Sequence, residues 1–396
     1  MAAPEEDADE RTARDGVLMA GAGIKRLRER WLLELTHLPT VAGREHGIVR
    51  WVEQWVARRR NLMLARDRAG NLFITQRRRQ TSHAPLLMTA HLDHPGFVVT
   101  TRRGRDVELE FRGGVHHPYF ENAVLDIFSG RERCTARIVT LDRAAKPFMR
   151  VTAVLDRRDA PVASNDIGRF HLARTKLPRI ASGQLHTYAC DDLSAVVAAL
   201  SALDVLRRRR GYTHVGVLLT RAEEVGFIGT LAACVARSVP RAARLICLEN
   251  SRSFPDSPIG AGPIVRVGDK ASVFDPTLTN DISQLMMDYE KTHPAFRWQR
   301  KLMPGGTCEA TAFSTYGYRA TCLCLPLGNY HNMVDIDGVQ AGTRPARVGP
   351  EFISVADFHG LVEMLIACAE RLDAPDRPSL RRRLQGLLRE HGHLVR

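Results

Sequence analysis

Short, uninterrupted apolar segments recur along this chain, and segments with helical spacing of apolar residues lie between them. Such a run is typical of a β-strand buried on both faces, as in a sheet that helices cover on each side. The four runs are APLLMTA (84–90), HVGVLLT (214–220), RLICLE (244–249) and ATCLCLPL (320–327). Helical spacing occurs at 23–38, 44–59, 191–210, 226–239 and 355–372. The alternation predicts an α/β fold with a mixed sheet sandwiched by helices.

The pattern of apolar residues changes between about residues 96 and 187. Short alternating stretches, such as GFVVTT, DVELEFRGG, ARIVTLD and MRVTAVLD, are separated by Gly, Asp, Pro and Arg clusters, without helical spacing. This pattern is typical of a small all-β unit, and we expect a β-barrel. The sequence therefore predicts a disordered tail at 1–20, a catalytic α/β domain at 21–95 and 188–375, an inserted barrel at 96–187 and a basic amphipathic tail at 376–396.

Composition limits the classes of protein to which the chain can belong. Its 396 residues include 57 Lys and Arg against 44 Asp and Glu, a formal net charge of +13, but the arginine runs are dispersed. We therefore expect a solvated surface and no specific nucleic-acid site. No apolar run approaches the ~20 residues of a membrane span, and the acidic start lacks the apolar stretch of a secretion signal. The eight cysteines form no CxxC pair. These features predict a cytoplasmic protein without disulfides.

The C-terminal segment 379–396 predicts a basic amphipathic helix. Arginines surround a leucine face made of Leu380, Leu384, Leu387 and Leu388. Such a helix can bind a membrane surface. Most amphipathic helices face a protein core instead, so we expect this one to pack against the domain or a second subunit.

Each of the four predicted buried strands leads into side chains that can bind metal ions. In chain order these are His91 and Asp93, then Glu223 and Glu224, then Glu249, and last His331, with Asp191 and Asp192 at the start of a long helix. In open α/β sheets, ligands bind outside the carboxyl ends of the strands. Carboxylates can bridge two cations and cancel their charge, while each histidine supplies one nitrogen. The combination predicts a dinuclear divalent-metal site.

Each of these residues also has an ordinary structural interpretation. A His-x-Asp pair is often a satisfied surface pair, Glu-Glu at a helix start is often N-terminal charge, and Asp-Asp is often a helix cap. Independent caps have no reason to recur at the same edge of one sheet. This recurrence favours the metal site.

A set of short motifs stands in order between about residues 28 and 370. They are LPTVAGREHGIVRWV (38–52), DRAGNL (67–72), HLDHPGFVV (91–99), YACDDLSA (188–195), RAEEVGFIGT (221–230), IGAGPIVRVGD (259–269), GGTCEATAF (305–313) and LPLGNYHN (325–332). The ordered set resembles the tetrahedral (TET-type) dinuclear-metal aminopeptidases, a family that also contains glutamyl aminopeptidases and proteins once labelled endoglucanases. The resemblance implies a phosphorylase/hydrolase-like fold in which the inserted barrel serves as a dimerisation or lid domain. The long insertion between His91 and Asp191 follows this family, because related carboxypeptidases and deacylases keep those two ligands closer.

The resemblance also implies how the metal ligands are shared. It makes His91 and Glu249 ligands of one metal and Glu224 and His331 ligands of the other, with Asp191 as the bridging carboxylate. Zinc is expected, and cobalt or manganese are alternatives, because mixed histidine and carboxylate ligands accept all three.

Two further residues receive roles from the resemblance. Glu223 matches the general base, which would take a proton from a water of lowered pKa and pass it to the leaving amine. Asp93 would hydrogen-bond the far nitrogen of His91 and fix the orientation of that ring.

The sequence departs from the family pattern at several positions. Glu249 stands where Asp is usual, Leu193 where Arg is common, Cys308-Glu309 where Asp-Ala is usual, and Asn332 where Ser is usual. A thiolate at Cys308 could be an additional ligand. We expect a pocket-wall residue instead, because the ligand set is complete without it.

Three functions are compatible with these features. We expect a metalloaminopeptidase that acts on free peptide N-termini, in a homo-oligomer joined through the inserted barrel. The alternatives are a related metal-dependent deacylase or carboxypeptidase, and a metal-binding protein without catalysis that holds an acidic partner on its basic surface. The intact Glu223 argues against the third, since a protein without catalysis does not need the base.

Overall fold

The computed structural model describes residues 8–77, 83–172, 176–375 and 379–395. The α-helices are α1 (Ala8–Leu35), α2 (His46–Ala57), α3 (Leu193–Leu206), α4 (Ile228–Val235), α5 (Pro276–Thr292), α6 (Glu309–Thr315), α7 (Ile336–Gln340), α8 (Val355–Arg371) and α9 (Leu380–His391). The strands are β1 (Leu62–Arg66), β2 (Leu72–Gln76), β3 (Leu86–His91), β4 (Gly96–Arg103), β5 (Asp106–Arg112), β6 (Val124–Ser129), β7 (Glu132–Asp142), β8 (Met149–Leu155), β9 (Ile167–Phe170), β10 (Arg179–Ala181), β11 (Gln184–Thr187), β12 (Val215–Thr220), β13 (Arg244–Arg252), β14 (Ile264–Gly268), β15 (Gln299–Leu302), β16 (Arg319–Leu327), β17 (Met333–Val334), β18 (Arg347–Val348) and β19 (Glu351–Ser354).

The main sheet is mixed, as the sequence predicted. Among the described residues it has the strand order β1-β2-β12-β3-β13-β16-β14-β15. The four predicted buried strands are its centre, β12, β3, β13 and β16, and they are parallel to one another. Strands β2 and β14 join this centre in antiparallel orientation. Because the central strands are parallel, their carboxyl ends lie at the same edge of the sheet.

Helices cover both faces of this sheet. Successive side chains of a strand point to opposite faces. Accordingly, Met88 of β3 joins the large hydrophobic cluster formed with α2, α3 and α8, whereas Leu87 joins the cluster formed with α4 and α6. Helix α3 is apolar on nearly every side, because it lies between the sheet, α1 and α8.

A closed six-stranded barrel is inserted into the α/β unit. Its strand order is β4-β5-β8-β7-β6-β9, and β9 pairs back onto β4. Four phenylalanines from different strands and loops fill its centre, and the ring centroids of Phe111 and Phe120 lie 4.8 Å apart. The chain leaves the main sheet after His91 and returns to it at β12, which follows α3. The barrel therefore stands beside the carboxyl edge of the central strands.

The two ends of the chain differ from the expectations. Residues 1–7 lie outside the described residues, but α1 begins at Ala8, within the segment expected to be disordered. The segment is rich in Ala, Glu and Arg, which favour helix, and it continues a helix whose later turns are buried.

At the other end, α9 forms as predicted, and it contacts the α/β domain through α5. Its leucine face is not buried there, however. None of the residues of α9 is buried, and Leu388 is 66% exposed. Among the described residues, no helix has both the length and the apolar character needed to cross a membrane.

Candidate metal centre

The sequence-predicted site residues meet at the carboxyl edge of the main sheet. His91 ends β3 and Glu249 lies in β13. Asp191 precedes α3, while His331 follows β16. Parallel strand ends thus bring together side chains that are far apart in the sequence.

Asp191 lies between the two histidines. Its Oδ1 atom is 3.3 Å from Nε2 of His91, and its Oδ2 atom is 3.4 Å from Nε2 of His331. The two oxygens of one carboxylate therefore face two different imidazole nitrogens. This is the geometry of a carboxylate that can bridge two cations.

Two groups of possible metal donors share Asp191. The first contains His91 and Glu249, whose Nε2 and Oε1 atoms are 3.7 Å apart. The second contains Glu224 and His331, whose Oε1 and Nε2 atoms are 3.3 Å apart. In each group the candidate donor atoms lie within 4.8 Å of one another. A third group combines His91 with Glu223 and Glu224.

Several donor atoms in this cluster are buried and have no hydrogen-bond partner among the described residues. They include Oδ1 of Asp191, Oε1 of Glu224 and Nε2 of His331. A buried polar atom without a partner is costly, because it has lost its hydration. Nitrogen and carboxylate donors of this kind suit divalent cations, so the residues fit a pair of bound ions.

The raised pKa values of two carboxyl groups indicate that added positive charge would stabilise the cluster. Burial raises the pKa of Glu223 well above its usual value, and the nearby carboxylates of Glu249 and Glu224 raise it further. Burial and the charge of Asp191 likewise raise the pKa of Glu249 to about 7.

The histidines respond in the opposite sense. Although burial lowers the pKa of His91, the carboxylates of Glu223 and Asp191 outweigh it, so this pKa lies well above the ordinary value. The same balance, with Glu224 and Asp191, raises the pKa of His331. Without divalent cations the cluster therefore retains protons, which metal ions would displace.

Asp93 contacts both His91 and the loop that carries Glu223 and Glu224. Nδ1 of His91 is 3.1 Å from the main-chain oxygen of Asp93 and 3.6 Å from its carboxylate Oδ1. That carboxylate accepts the backbone N–H groups of Glu223 and Glu224, at 2.9 and 3.0 Å. Asp93 thus orients the loop that carries both glutamates, because each of its carboxylate oxygens accepts one of these two backbone N–H groups.

The loop after β12 makes a tight turn that includes residues with positive φ angles. Ala222 has a φ of 53° and Gly226 a φ of 108°. A Cβ atom on Gly229 would lie 2.4 Å from the carbonyl oxygen of Arg221. The close turn directs the Glu223-Glu224 pair towards the cluster, and a larger side chain at Gly229 would displace it.

Glu351 is a site residue that the sequence analysis missed. Its Oε2 atom accepts the backbone N–H of Asp191 at 3.1 Å, and its Oε1 atom accepts that of His331 at 2.8 Å. Burial is the largest cause that raises the pKa of Glu351, to about 7. In the sequence, Glu351 is recognisable only as an acidic residue at the start of the short segment EFIS. An acidic residue at this position is also common in surface strands.

A cavity of about 520 Å³ opens onto the cluster. Its wall includes Phe254, Met303 and Ile336 as well as Arg266. The guanidinium of Arg266 is buried, donates from Nη1 to Oγ of Ser251 at 3.2 Å and has no partner for Nε. Among the described residues, no carboxylate forms an ion pair with it at hydrogen-bond range. The cavity therefore contains a buried positive charge that is attracted by Glu249 but forms no close ion pair with a described carboxylate.

Cys308 lies behind the cavity. It is buried with Cys247 and Cys322 in the smaller hydrophobic cluster. Among the described residues, the groups of possible metal donors do not include it. Its position is that of a core residue, because the cavity lining includes its neighbour Thr307 but not Cys308.

The comparisons with known proteins agree with the motifs. The sequence model of the M42 glutamyl aminopeptidase family matches residues 70–344. No curated protein sequence matches this chain significantly. Among solved structures, a TET aminopeptidase from a marine-sediment Thaumarchaeota archaeon is 15% identical with a TM-score of 0.69, covering 88% of this chain and 97% of that one.

Two other solved structures have the same fold. The Pyrococcus horikoshii TET1 peptidase, which can assemble into a tetrahedron or a large octahedral shell, is 17% identical with a TM-score of 0.66, covering 86% of this chain and 99% of that one. A Thermotoga maritima protein described as an endoglucanase is 18% identical with a TM-score of 0.57, covering 85% of this chain and 96% of that one.

Proposed function

The chain belongs to the M42 glutamyl aminopeptidase family and is a peptidase, and we propose that it removes N-terminal residues from peptides with the help of two divalent metal ions. The observation that carries the proposal is the position of Asp191, with one carboxylate oxygen facing each histidine at 3.3 and 3.4 Å. Zinc is the proposed metal, with cobalt and manganese as alternatives.

Two sets of side chains would hold these ions. His91 and Glu249 would bind the first, Glu224 and His331 the second, and Asp191 both. When bound, two divalent ions supply Lewis-acid polarisation of the scissile carbonyl group and lower the pKa of a water molecule.

Glu223 is the proposed general base. Its Oε2 atom lies 3.9 Å from Nε2 of His91, and Asp93 fixes its backbone through the N–H group. Oε2 would accept a proton from the attacking water and then deliver it to the leaving amine. Because the side chain is buried, bulk water does not compete for this proton.

Arg266 supports a preference for acidic N-terminal residues. It is buried at the cavity wall, and among the described residues no carboxylate forms an ion pair with it, although Glu249 attracts it over a longer distance. A buried charge without a partner is unfavourable, and a substrate carboxylate would supply the missing anion. The family's description as glutamyl aminopeptidases agrees with this preference.

The assembly and the cellular compartment are also part of the proposal. Because the Pyrococcus horikoshii TET1 peptidase assembles into closed shells, we expect this chain to form a homo-oligomer through its barrel. The eight cysteines are buried free thiols, which suits the reducing cytoplasm.

The test is hydrolysis of aminoacyl anilides by the metal-loaded protein. We expect turnover of free-amine substrates, none of their N-acetylated forms, and loss on chelation. Glu223→Gln is expected to lower kcat about 10²- to 10⁴-fold, the usual contribution of a general base. The control is Glu309→Gln, a buried glutamate outside the groups of possible metal donors.

Two results would contradict the proposal. Activity on N-acetylated substrates alone would indicate the deacylase or carboxypeptidase alternative. Inactivity of the wild type and of Glu223→Gln across a broad panel would indicate a metal-binding protein without catalysis.

A further inference from the structure

The loop that carries His331 has an unfavourable backbone conformation. Asn329, His331 and Asn332 have φ angles of 52°, 54° and 63°. Asparagine adopts this left-handed region more readily than other non-glycine residues, so the cost falls mainly on His331, at roughly 1 kcal/mol or more. The loop therefore needs contacts from outside to hold its shape.

One of these contacts comes from the barrel. Nδ1 of His331 donates to the main-chain oxygen of Gly114 at 2.5 Å. Gly114 follows β5, so the acceptor belongs to the inserted barrel and not to the main sheet. The bond places the proton on Nδ1, which leaves Nε2 free to face Asp191 and Glu224.

The segment 113–120, which we call the roof segment, is fastened to the residues after His331. Oη of Tyr119 donates to the main-chain oxygen of Val334 at 2.7 Å. The backbone N–H of His116 donates to Sδ of Met333 at 3.3 Å, and the His116 ring contacts the side chain of Gln340 at 3.1 Å.

An apolar contact stabilises the same junction. Tyr119, Met333 and Ile336 are buried in one hydrophobic cluster, against which Val115 packs. Tyr119 is thus anchored by its ring and by its hydroxyl group. It links the roof segment to the chain just beyond the histidine.

We propose that the roof segment is a positioning element of the second metal site, in which Tyr119 holds the Gly114 carbonyl against His331. The inference rests on the proposed metal site but not on aminopeptidase activity. At the first site, in contrast, Nδ1 of His91 contacts Asp93 of its own loop and no described residue of the barrel. Loosening the roof segment therefore weakens the second site and spares the first.

The test is the double variant Tyr119→Phe with Gln340→Ala. It keeps the buried ring and removes two side-chain contacts between the roof segment and the loop. Zinc chloride is titrated into the metal-free protein by calorimetry, and His331→Ala identifies the binding event of the second site. Each lost hydrogen bond corresponds to about a fivefold change in a dissociation constant. We therefore expect the dissociation constant of the second zinc ion to rise roughly 5- to 25-fold.

The control is Tyr318→Phe. Its hydroxyl group also donates to a main-chain oxygen, that of Val239 at 3.0 Å, but it lies in the smaller hydrophobic cluster away from the roof segment. We expect this variant to bind both zinc ions as the wild type does. In metal-free protein, amide hydrogen exchange should increase in 113–120 and 330–340 of the double variant and stay unchanged in β7.

Three results would overturn the inference. They are unchanged affinity for both zinc ions in the double variant, equal weakening of both sites, and fewer than two zinc ions bound by the wild type. Because zinc binding is measured without substrate, a failure of the aminopeptidase proposal would be recognised separately in the anilide assay.

Discussion

Replacing Arg266 with Met is expected to abolish a preference for Glu over Gln at the N-terminus of the substrate. Arg266 is 3% exposed, lines the cavity and donates to Ser251 at 3.2 Å, while its Nε atom has no partner. Methionine keeps the length and the apolar stem of the side chain but removes the charge. The Glu and Gln substrates differ only in the charge that this guanidinium would contact.

The size of the effect follows from the burial of the guanidinium. A hydrogen bond that involves a charged group contributes about 1.5 to 3 kcal/mol, and each ~1.4 kcal/mol corresponds to a tenfold change. We therefore expect kcat/KM for the Glu substrate to fall roughly 10- to 150-fold. For the neutral Gln substrate we expect a change of about threefold or less, because no full charge loses its partner.

The assay compares kcat/KM for glutamyl and glutaminyl anilides in the metal-loaded protein. The matched control is Arg252→Met, because Arg252 lines the same cavity but is already paired with Asp337. The control should keep the wild-type ratio. An unchanged Glu-to-Gln ratio in Arg266→Met, or an equal loss on both substrates, would refute the assignment of Arg266 to substrate recognition.

Two further predictions concern stability. Asp204 accepts hydrogen bonds from Arg59 at 2.6 Å and from Arg207 at 2.9 Å. Removing one member of a buried ion pair is costly, so we expect the Asp204→Asn variant to be less stable than the wild type by about 2 kcal/mol. Urea denaturation at pH 7 measures this difference. Although burial raises the pKa of Asp204, these arginines lower it below its ordinary value. The difference in stability should therefore begin to decline as the pH falls below about 4, the unfolded-state pKa, and vanish below the lowered folded-state pKa. A difference that does not decline in acid would contradict this. The pKa of Glu351 is raised to about 7, so the folded metal-free protein binds the extra proton and loses stability as the pH rises from about 4.5 to 7. In urea denaturation, Glu351→Gln should weaken this pH dependence, and an unchanged slope would contradict the role of burial.

The main sheet and most of the candidate site could be predicted because they depend on local patterns. A continuous apolar run of six to eight residues predicts a buried strand, and parallel buried strands end at one edge. His91, Glu249 and His331 therefore had to approach one another once their strands were recognised. The barrel was predictable for a similar reason, since its alternating segments lack any helical spacing.

The remaining features depend on contacts between distant parts of the chain. Glu351 reaches Asp191 only because β19 pairs with β11, a register that no local pattern records. Gly114 acts through its backbone carbonyl group, and glycine has no side chain that could indicate this role in the sequence. The carboxylate of Asp93 accepts the backbone N–H group of Glu223, which is far from it in the sequence. The residues next to Asp93 in the sequence do not indicate this contact.

The central claim is that two divalent ions bind on either side of Asp191. The most direct measurement is a crystal structure of the zinc-loaded protein with anomalous differences recorded at the zinc edge. We predict two peaks roughly 3.5–4 Å apart, one within about 2.0–2.2 Å of His91 Nε2 and the other at the same range from His331 Nε2. A single peak, or none, beside Asp191 in fully loaded crystals would contradict the account.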